Sequence, residues 1–198
     1  MRCARCRKVS HSRAKFCSEC GTKLVRGARP ARDDIAAALG QAGPVLGAIA
    51  RTAARLCEAS DALIYLVEGD RRRLVAKHGT QPVLLAVGDS VPFSSADVGG
   101  FAILERRTVH VRDMAVAVRT RFPDNRLFQR RSRTRTIMAM PLLLDGVAVG
   151  VIVIRRTRVR PFTARQIALL TTFADQAAIV IDNARLSLAL ETRNGELT

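Results

Sequence analysis

The sequence predicts an α+β fold, a central antiparallel sheet with helices packed on it, preceded by a small cysteine-bearing module. Three observations carry this. Residues 136–156, TIMAMPLLLDGVAVGVIVIRR, hold two apolar runs around Asp145-Gly146, a dipeptide suited to positive φ at both central positions of a type I′ hairpin turn. Both runs are apolar on both faces instead of alternating, as strands covered from two sides are. Beyond them, residues 163–190 repeat apolar side chains at three- and four-residue intervals, which predicts a long helix. Pro141 lacks a ladder donor and Gly150 lacks a side chain, so each predicts a bulge, an edge position or a close approach by another group.

At 198 residues and 48% apolar content, the chain has room for one core-forming domain with appendages, and global disorder is excluded. The net charge of +16 is concentrated in patches: ten Lys/Arg against Glu19 alone in residues 1–32, seven against Asp124 in 119–135, and five with no acid in 155–165. Patches of this kind attract phosphate or an acidic partner. The basic start runs into cysteines where a secretory signal needs an apolar stretch, and no uninterrupted apolar run reaches the ~18–20 residues that span a bilayer, so the expected location is the cytoplasm without membrane contact.

Taken in order, residues 1–25 contain Cys3, Cys6, Cys17 and Cys20 as two C-x2-C pairs. Two such knuckles make a closed tetrahedral site that thiolates fill best with structural zinc, and metal binding would fold a segment too short for its own core. A disulfide pairing suits a secreted chain, and a redox dithiol suits a helix start inside a larger α/β unit; neither context is visible here. Residues 26–43 read as a linker and the start of a helix with Asp33 or Asp34 as N-cap, and Pro44 as the first turn of a second helix carrying Leu46, Ile49, Ala53 and Leu56. Cys57 at its end reads as a small buried hydrophobe.

Residues 62–67 and 73–77 read as strands around the turn Glu68-Gly69-Asp70. After an irregular segment, Ser94 or Ser95 caps a short helix over 96–106, and 108–111 forms a further strand. His78 and His110 read as structural, since no carboxylate or cysteine completes a site around them. The run 119–135, RTRFPDNRLFQRRSRTR, reads as a solvated helix or loop, or as a basic lid whose arginines attract an anion beside the hairpin. Thr163 and Gln166 form a capping box for the long helix. Its heptad-spaced Ile181, Ala184 and Leu188 read as a dimer seam.

Residues 16–24, FCSECGTKL, resemble the second half of the zinc ribbons that open many bacterial regulatory proteins, class III adenylate cyclases among them. Residues 101–113 (FAILERRTVHVRD), 135–170 and 172–186 (TFADQAAIVIDNARL) resemble GAF domains of bacterial hybrid histidine kinases and related receptors. The resemblance implies a GAF-like domain over 44–186, with 187–198 as an exit helix leading toward a kinase or cyclase effector that the sequence itself does not carry. It implies a non-catalytic signalling sensor, homodimeric through its terminal helices, acting on a kinase or cyclase in trans, with Phe101, Arg133, Arg135, Thr136, Met138 and Met140 as the expected ligand contacts. The family's cyclic-nucleotide residue set is not recognisable, Cys57 is poorly placed for bilin attachment, and reductases of GAF type use several cysteines where this domain has one. The alternative reading is a nucleic-acid-binding zinc-ribbon regulator using the basic patches, opposed by an aromatic content of only 4%, which leaves few stacking platforms.

Overall fold

The structure, a computed structural model, describes residues 32–195 of the chain. Two compact units are distinguished, Met1–Asp33 and Asp34–Thr198, and the second carries the sheet. Cys3, Cys6, Cys17 and Cys20 lie outside the described residues.

Helix α1 (Arg32–Leu56) leads into the hairpin β1 (Asp61–Glu68) and β2 (Arg71–Gly79), followed by a short strand β3 (Ser90–Pro92). Helix α2 (Val98–Glu105), strand β4 (Val109–Val111), helix α3 (Met114–Thr120), a 3-10 turn at Pro123–Asn125 and helix α4 (Arg126–Ser132) come next. The central hairpin β5 (Thr136–Leu144) and β6 (Val147–Arg156) then passes to α5 (Ala164–Gly195). The strands form one six-stranded sheet in the order β3-β2-β1-β6-β5-β4, antiparallel at every pairing. The hairpin and the long helix follow the sequence reading: Asp145 and Gly146 have φ of 48° and 74°, as a type I′ turn demands. The Thr163 N–H donates to Gln166 Oε1 (3.1 Å) while the Gln166 N–H donates to Thr163 Oγ1 (3.2 Å), a reciprocal capping box.

Both faces of the sheet are covered. On one, Ala62, Ile64, Leu66, Met138, Met140, Ile152 and Ile154 pack against Leu46, Ala50 and Ala53 of α1 and Leu170, Ala174, Ala177 and Ile181 of α5. On the other, Leu63, Tyr65, Ile137, Ala139, Val151 and Val153 meet Val98 and Ala102 of α2, Met114 and Val118 of α3, and Phe122. By length and composition α5 is apolar enough to cross a membrane, with a mean hydropathy of 1.2 over its best window. That departs from the expectation of no such segment; the apolar side chains named above form a sheet-covering stripe, but 28% of that stretch is buried and Ile179 and Leu186 on it are exposed.

Three local expectations are corrected. Helix α1 is continuous, with Pro44 inside it: the ring stands exposed, where a forgone backbone hydrogen bond is cheapest, and packing of the buried stripe on the sheet outweighs it. Helix α2 is capped by Asp97, whose side chain accepts from the Gly100 N–H, and not by Ser94 or Ser95. The irregular segment contains β3, too short for periodicity to reveal, while the helix α4 in the basic run agrees with one of the readings given for it.

Gly150 has a local reason. A register shift between Leu142 and Leu143 leaves Val149 as the extra residue of a bulge. A Cβ on Gly150 would strike the Tyr65 backbone carbonyl of β1 and lie 2.8 Å from Leu142 Cδ1. Backbone cannot yield as a side-chain tip can, so Gly150→Ala is expected to destabilise by about 2–3 kcal/mol, read as a lower urea midpoint at unchanged slope. Pro141 lies beyond the last residue paired with β4, where that side of β5 has no ladder partner to lose.

Arg155 and Arg156, consecutive on β6, point to opposite faces. Arg155 is fully buried and pairs with Asp61 at the start of β1, Nε donating to Oδ1 at 2.6 Å and Nη2 to Oδ2. Its guanidinium stacks 4.6 Å above the Phe128 ring. Arg156 donates to the carbonyls of Cys57 (2.6 Å), Glu58 (3.2 Å), Arg160 (2.6 Å) and Pro161 (3.0 Å) and to Gln166 Oε1 (3.1 Å). All of its N–H donors are thereby used. It binds the C-terminal end of α1 to the N-terminal cap of α5.

A cavity on the sheet face opposite the terminal helices

A cavity of about 330 Å³ lies on the face of the sheet away from α1 and α5. Leu63 and Tyr65 of β1, Ile137 of β5 and Val153 of β6 form its floor, the alternate residues of strands whose other members are committed to the helices. The segment between β2 and α2 supplies an apolar wall through Val83, Leu85, Val91 and Phe93. Asp124, Asn125 and Phe128 of the basic run complete the lining.

The polar end is organised by the N-cap of α2. Asp97 is buried and accepts hydrogen bonds from the Gly100 N–H (2.7 Å), Asn125 Nδ2 (2.9 Å) and Arg72 Nη1. The other end of the Asn125 amide accepts from the Val98 N–H at 2.8 Å. One carboxylate thus ties β2, α2 and the basic run together. Arg72 also lies 5.0 Å from the Tyr65 ring centroid, as cation–π pairs do. Gly99 permits this approach, since a Cβ there would collide with Arg72 Nη1. Burial pushes the Tyr65 phenol up to about 12, opposed by Arg72 and reinforced by Asp97. It therefore stays protonated, a neutral donor and acceptor at the cavity floor.

The six expected ligand contacts lie elsewhere. Met138 and Met140 face the terminal helices, one residue out of phase with Ile137, which does line the cavity. When both faces of a strand are apolar, alternation does not tell which set faces which layer. Thr136 is buried, its hydroxyl 2.9 Å from the Arg112 carbonyl and 3.0 Å from that of Arg158, and it accepts from the Arg160 N–H at 3.0 Å. Phe101 packs edge-to-face on Phe122, with centroids 5.8 Å apart, beneath the Arg107 and Arg121 guanidiniums. Arg133 is the exposed left-handed cap of α4, φ 52°. Arg135 donates to Asp113 through Nε (3.0 Å) and Nη2 (2.8 Å), and this hydrogen bonding holds the Asp113 carboxyl below its ordinary range. Of the expected dimer seam, Ile181 is buried within the chain's own core and Ala184 packs at its edge, while Leu188 is outside the residues whose side chains are described. Among the described residues, the exposed large apolar side chains of α5 are Ile179, Leu186 and Leu190.

Cys57 is buried in the opposite core. Its Sγ lies 3.5 Å from the Gln166 carbonyl, and burial raises the thiol against the opposing pull of Arg156. His110 Nε2 accepts from the Phe162 N–H at 3.1 Å, and burial, then Arg112 and Arg156, lowers its pKa. Among the described residues no group of three or more His, Cys, Asp or Glu side chains could hold a metal ion. What the cavity offers is a half-open, mainly apolar cleft with one organised polar end, of a kind that can hold a small molecule. Tyr65, Arg72, Asp97, Asn125 and Phe128 escape sequence reading; the one local signal was Asp97, three residues before Gly100 at a helix start.

The fold is shared with solved structures of low sequence identity. The GAF domain/HD domain protein from Geobacter sulfurreducens is 17% identical over 75% of this chain and 96% of its own, with a TM-score of 0.62. The GAF-B domain of DevS from Mycobacterium smegmatis is 21% identical over 75% of this chain and 98% of its own, at 0.58. Type II free methionine-R-sulfoxide reductase from Thermoplasma acidophilum is 17% identical over 74% and 95%, at 0.60. No curated protein sequence matches the chain. The family model for the GAF domain matches residues 43–181, which spans the sheet, both layers of helices and the cavity, and the chain therefore belongs to the GAF domain family.

Proposed function

We propose that this chain is a non-catalytic cytoplasmic signalling regulator whose GAF domain binds a small molecule in the cavity over Leu63, Tyr65, Ile137 and Val153. The observation that carries the reading is the half-open cleft itself, mainly apolar and anchored at one end by the Arg72–Asp97–Asn125 group. Among the described residues no cysteine or histidine lines it, and the thiol of Cys57 lies on the far side of the sheet, which favours binding over reductase chemistry. Cys3, Cys6, Cys17 and Cys20 hold structural zinc in an N-terminal ribbon. The terminal helices join two copies, with the exposed Ile179, Leu186 and Leu190 of α5 as the contact, and the output goes to a kinase or cyclase of the hybrid-kinase or adenylate-cyclase type. A ligand shifts that output only to the extent that it binds two arrangements of the helices unequally.

The test is a thermal-shift screen of nucleotides, haem, bilins and small metabolites. At least one compound is expected to raise Tm, with the rise lost when Ile137→Phe fills the cavity floor; no hit in the panel counts against sensing. Metal analysis of the purified chain is expected to give about one zinc per chain, lost in Cys17→Ser.

The exposed arginines of the basic run favour a second reading, nucleic-acid binding. Arg119, Arg121, Arg126, Arg130, Arg131 and Arg133 face solvent. A steep fall of log affinity with log salt, and weakening by Arg130→Ala with Arg131→Ala, would support it.

A further inference from the structure

Building on the proposal that the cavity is a ligand site, we infer that its ligand is an uncharged, predominantly apolar ring compound and that anions are rejected. The chain carries a net charge of +16, yet among the described residues the charged groups in the cavity lining are Arg72, Asp97 and Asp124, one guanidinium against two carboxylates. Arg72 is already paired with Asp97 through Nη1, which offsets its charge, while its Nε is buried without a partner among the described residues and is left as a donor. The basic run contributes to the lining its acid, its amide and an aromatic ring, while its arginines face solvent or, for Arg135, pair with Asp113. Arg155 is sealed behind Phe128 and held by Asp61. An anion entering here would shed its hydration to meet two carboxylates and no unpaired cation.

A cationic ligand fares little better. Asp97 already accepts three hydrogen bonds, and Asp124 is exposed and accepts from the Ser94 hydroxyl. Both ends of the Asn125 amide are in use. What stays open among the described side chains is the Tyr65 hydroxyl, for which no hydrogen bond to another described residue is formed, together with the unpartnered Arg72 Nε–H, so the polar end offers two contacts. The cavity's ~330 Å³ lies at the small end of the range for ligand sites and suits a two- or three-ring skeleton.

Two fluorescent probes with one skeleton test this: N-phenylnaphthylamine, which is uncharged, and anilinonaphthalene sulfonate, which adds a single sulfonate. The uncharged probe is expected to bind the full-length protein about tenfold more tightly at physiological ionic strength, despite the protein's positive charge. Leu85→Trp, or Val83→Trp should the first not fold, is expected to abolish that binding and leave a salt-sensitive residue of sulfonate binding on the surface arginines. In Asp97→Asn, which retains a capping side chain but frees Arg72, the preference is expected to move about tenfold toward the sulfonate. Equal or tighter binding of the sulfonate, abolished by the same filling variant, would overturn the inference while leaving the ligand site standing. Indifference of both probes to a folded filling variant would remove the site and the inference together.

Discussion

Asp61→Asn is expected to lower the stability of the GAF domain by about 3–5 kcal/mol, although the side chain barely changes shape. Asp61 and Arg155 have no solvent exposure at all, so removing the carboxylate charge leaves a guanidinium desolvated and unpaired. Arg155 Nη1 already lacks a partner among the described residues, so the site holds no spare acceptor to compensate. A loss of this size is a large part of the stability of an ordinary domain and corresponds to a fall in Tm of about 10 °C or more. The double variant Asp61→Leu with Arg155→Met is expected to recover most of it, because replacing both members of a buried pair by apolar groups is often neutral. Urea denaturation of the three proteins measures this. An Asp61→Asn variant within about 1 kcal/mol of the parent would show that solvent reaches the pair.

Arg156→Ala is expected to cost about 3 kcal/mol, and its effect should be local to the terminal helices. The guanidinium serves carbonyls at the end of α1 and in the approach to α5 together with the Gln166 side chain of the capping box. Its loss removes five hydrogen bonds at once: the Cys57 carbonyl and Gln166 Oε1 each keep one other donor, while the carbonyls of Glu58, Arg160 and Pro161 are left to water. Arg156→Lys keeps the charge but not the planar fork, and is expected to recover less than half. Hydrogen exchange should rise around residues 57–59 and 163–167 well before it rises in β1 and β6. A uniform rise across the sheet would mean that Arg156 supports the whole core and is not a specific clasp between the helices. The clasp sits one residue from Arg155, which stacks on the cavity residue Phe128. Occupancy of the cavity and the setting of the terminal helices therefore share one strand end, and that is where ligand-dependent changes in exchange are expected to appear first.

Much of the fold was legible because its strongest signals are local. Asp145-Gly146 specifies its own turn, Thr163 and Gln166 specify their own cap, and the apolar periods of β5, β6 and α5 follow from which side chains must leave water. Short elements were not: β3 has three residues and α3 has seven, less than two helical periods of pattern. The continuity of α1 through Pro44 was likewise hidden, since the sheet that holds its stripe is not written in the helix.

The candidate site was legible only in outline. That the hairpin has two covered faces, and that the run 119–135 approaches it, could be read from residue types alone. Which face takes the helices could not, because Met138 and Ile137 are both apolar and a shift of one residue exchanges them. The basic run shows the same limit: arginine dominates its composition, yet Asp124, Asn125 and Phe128 are what α4 and the preceding turn direct into the cavity. The existence of the sheet, its two-sided burial and the helix that leaves it follow from patterns within a few residues. The phase of each strand, the pairing of Asp61 with Arg155 and of Arg72 with Asp97, and hence the charge of the cavity, emerge on folding, because partners 94 and 25 residues apart are brought together by packing alone.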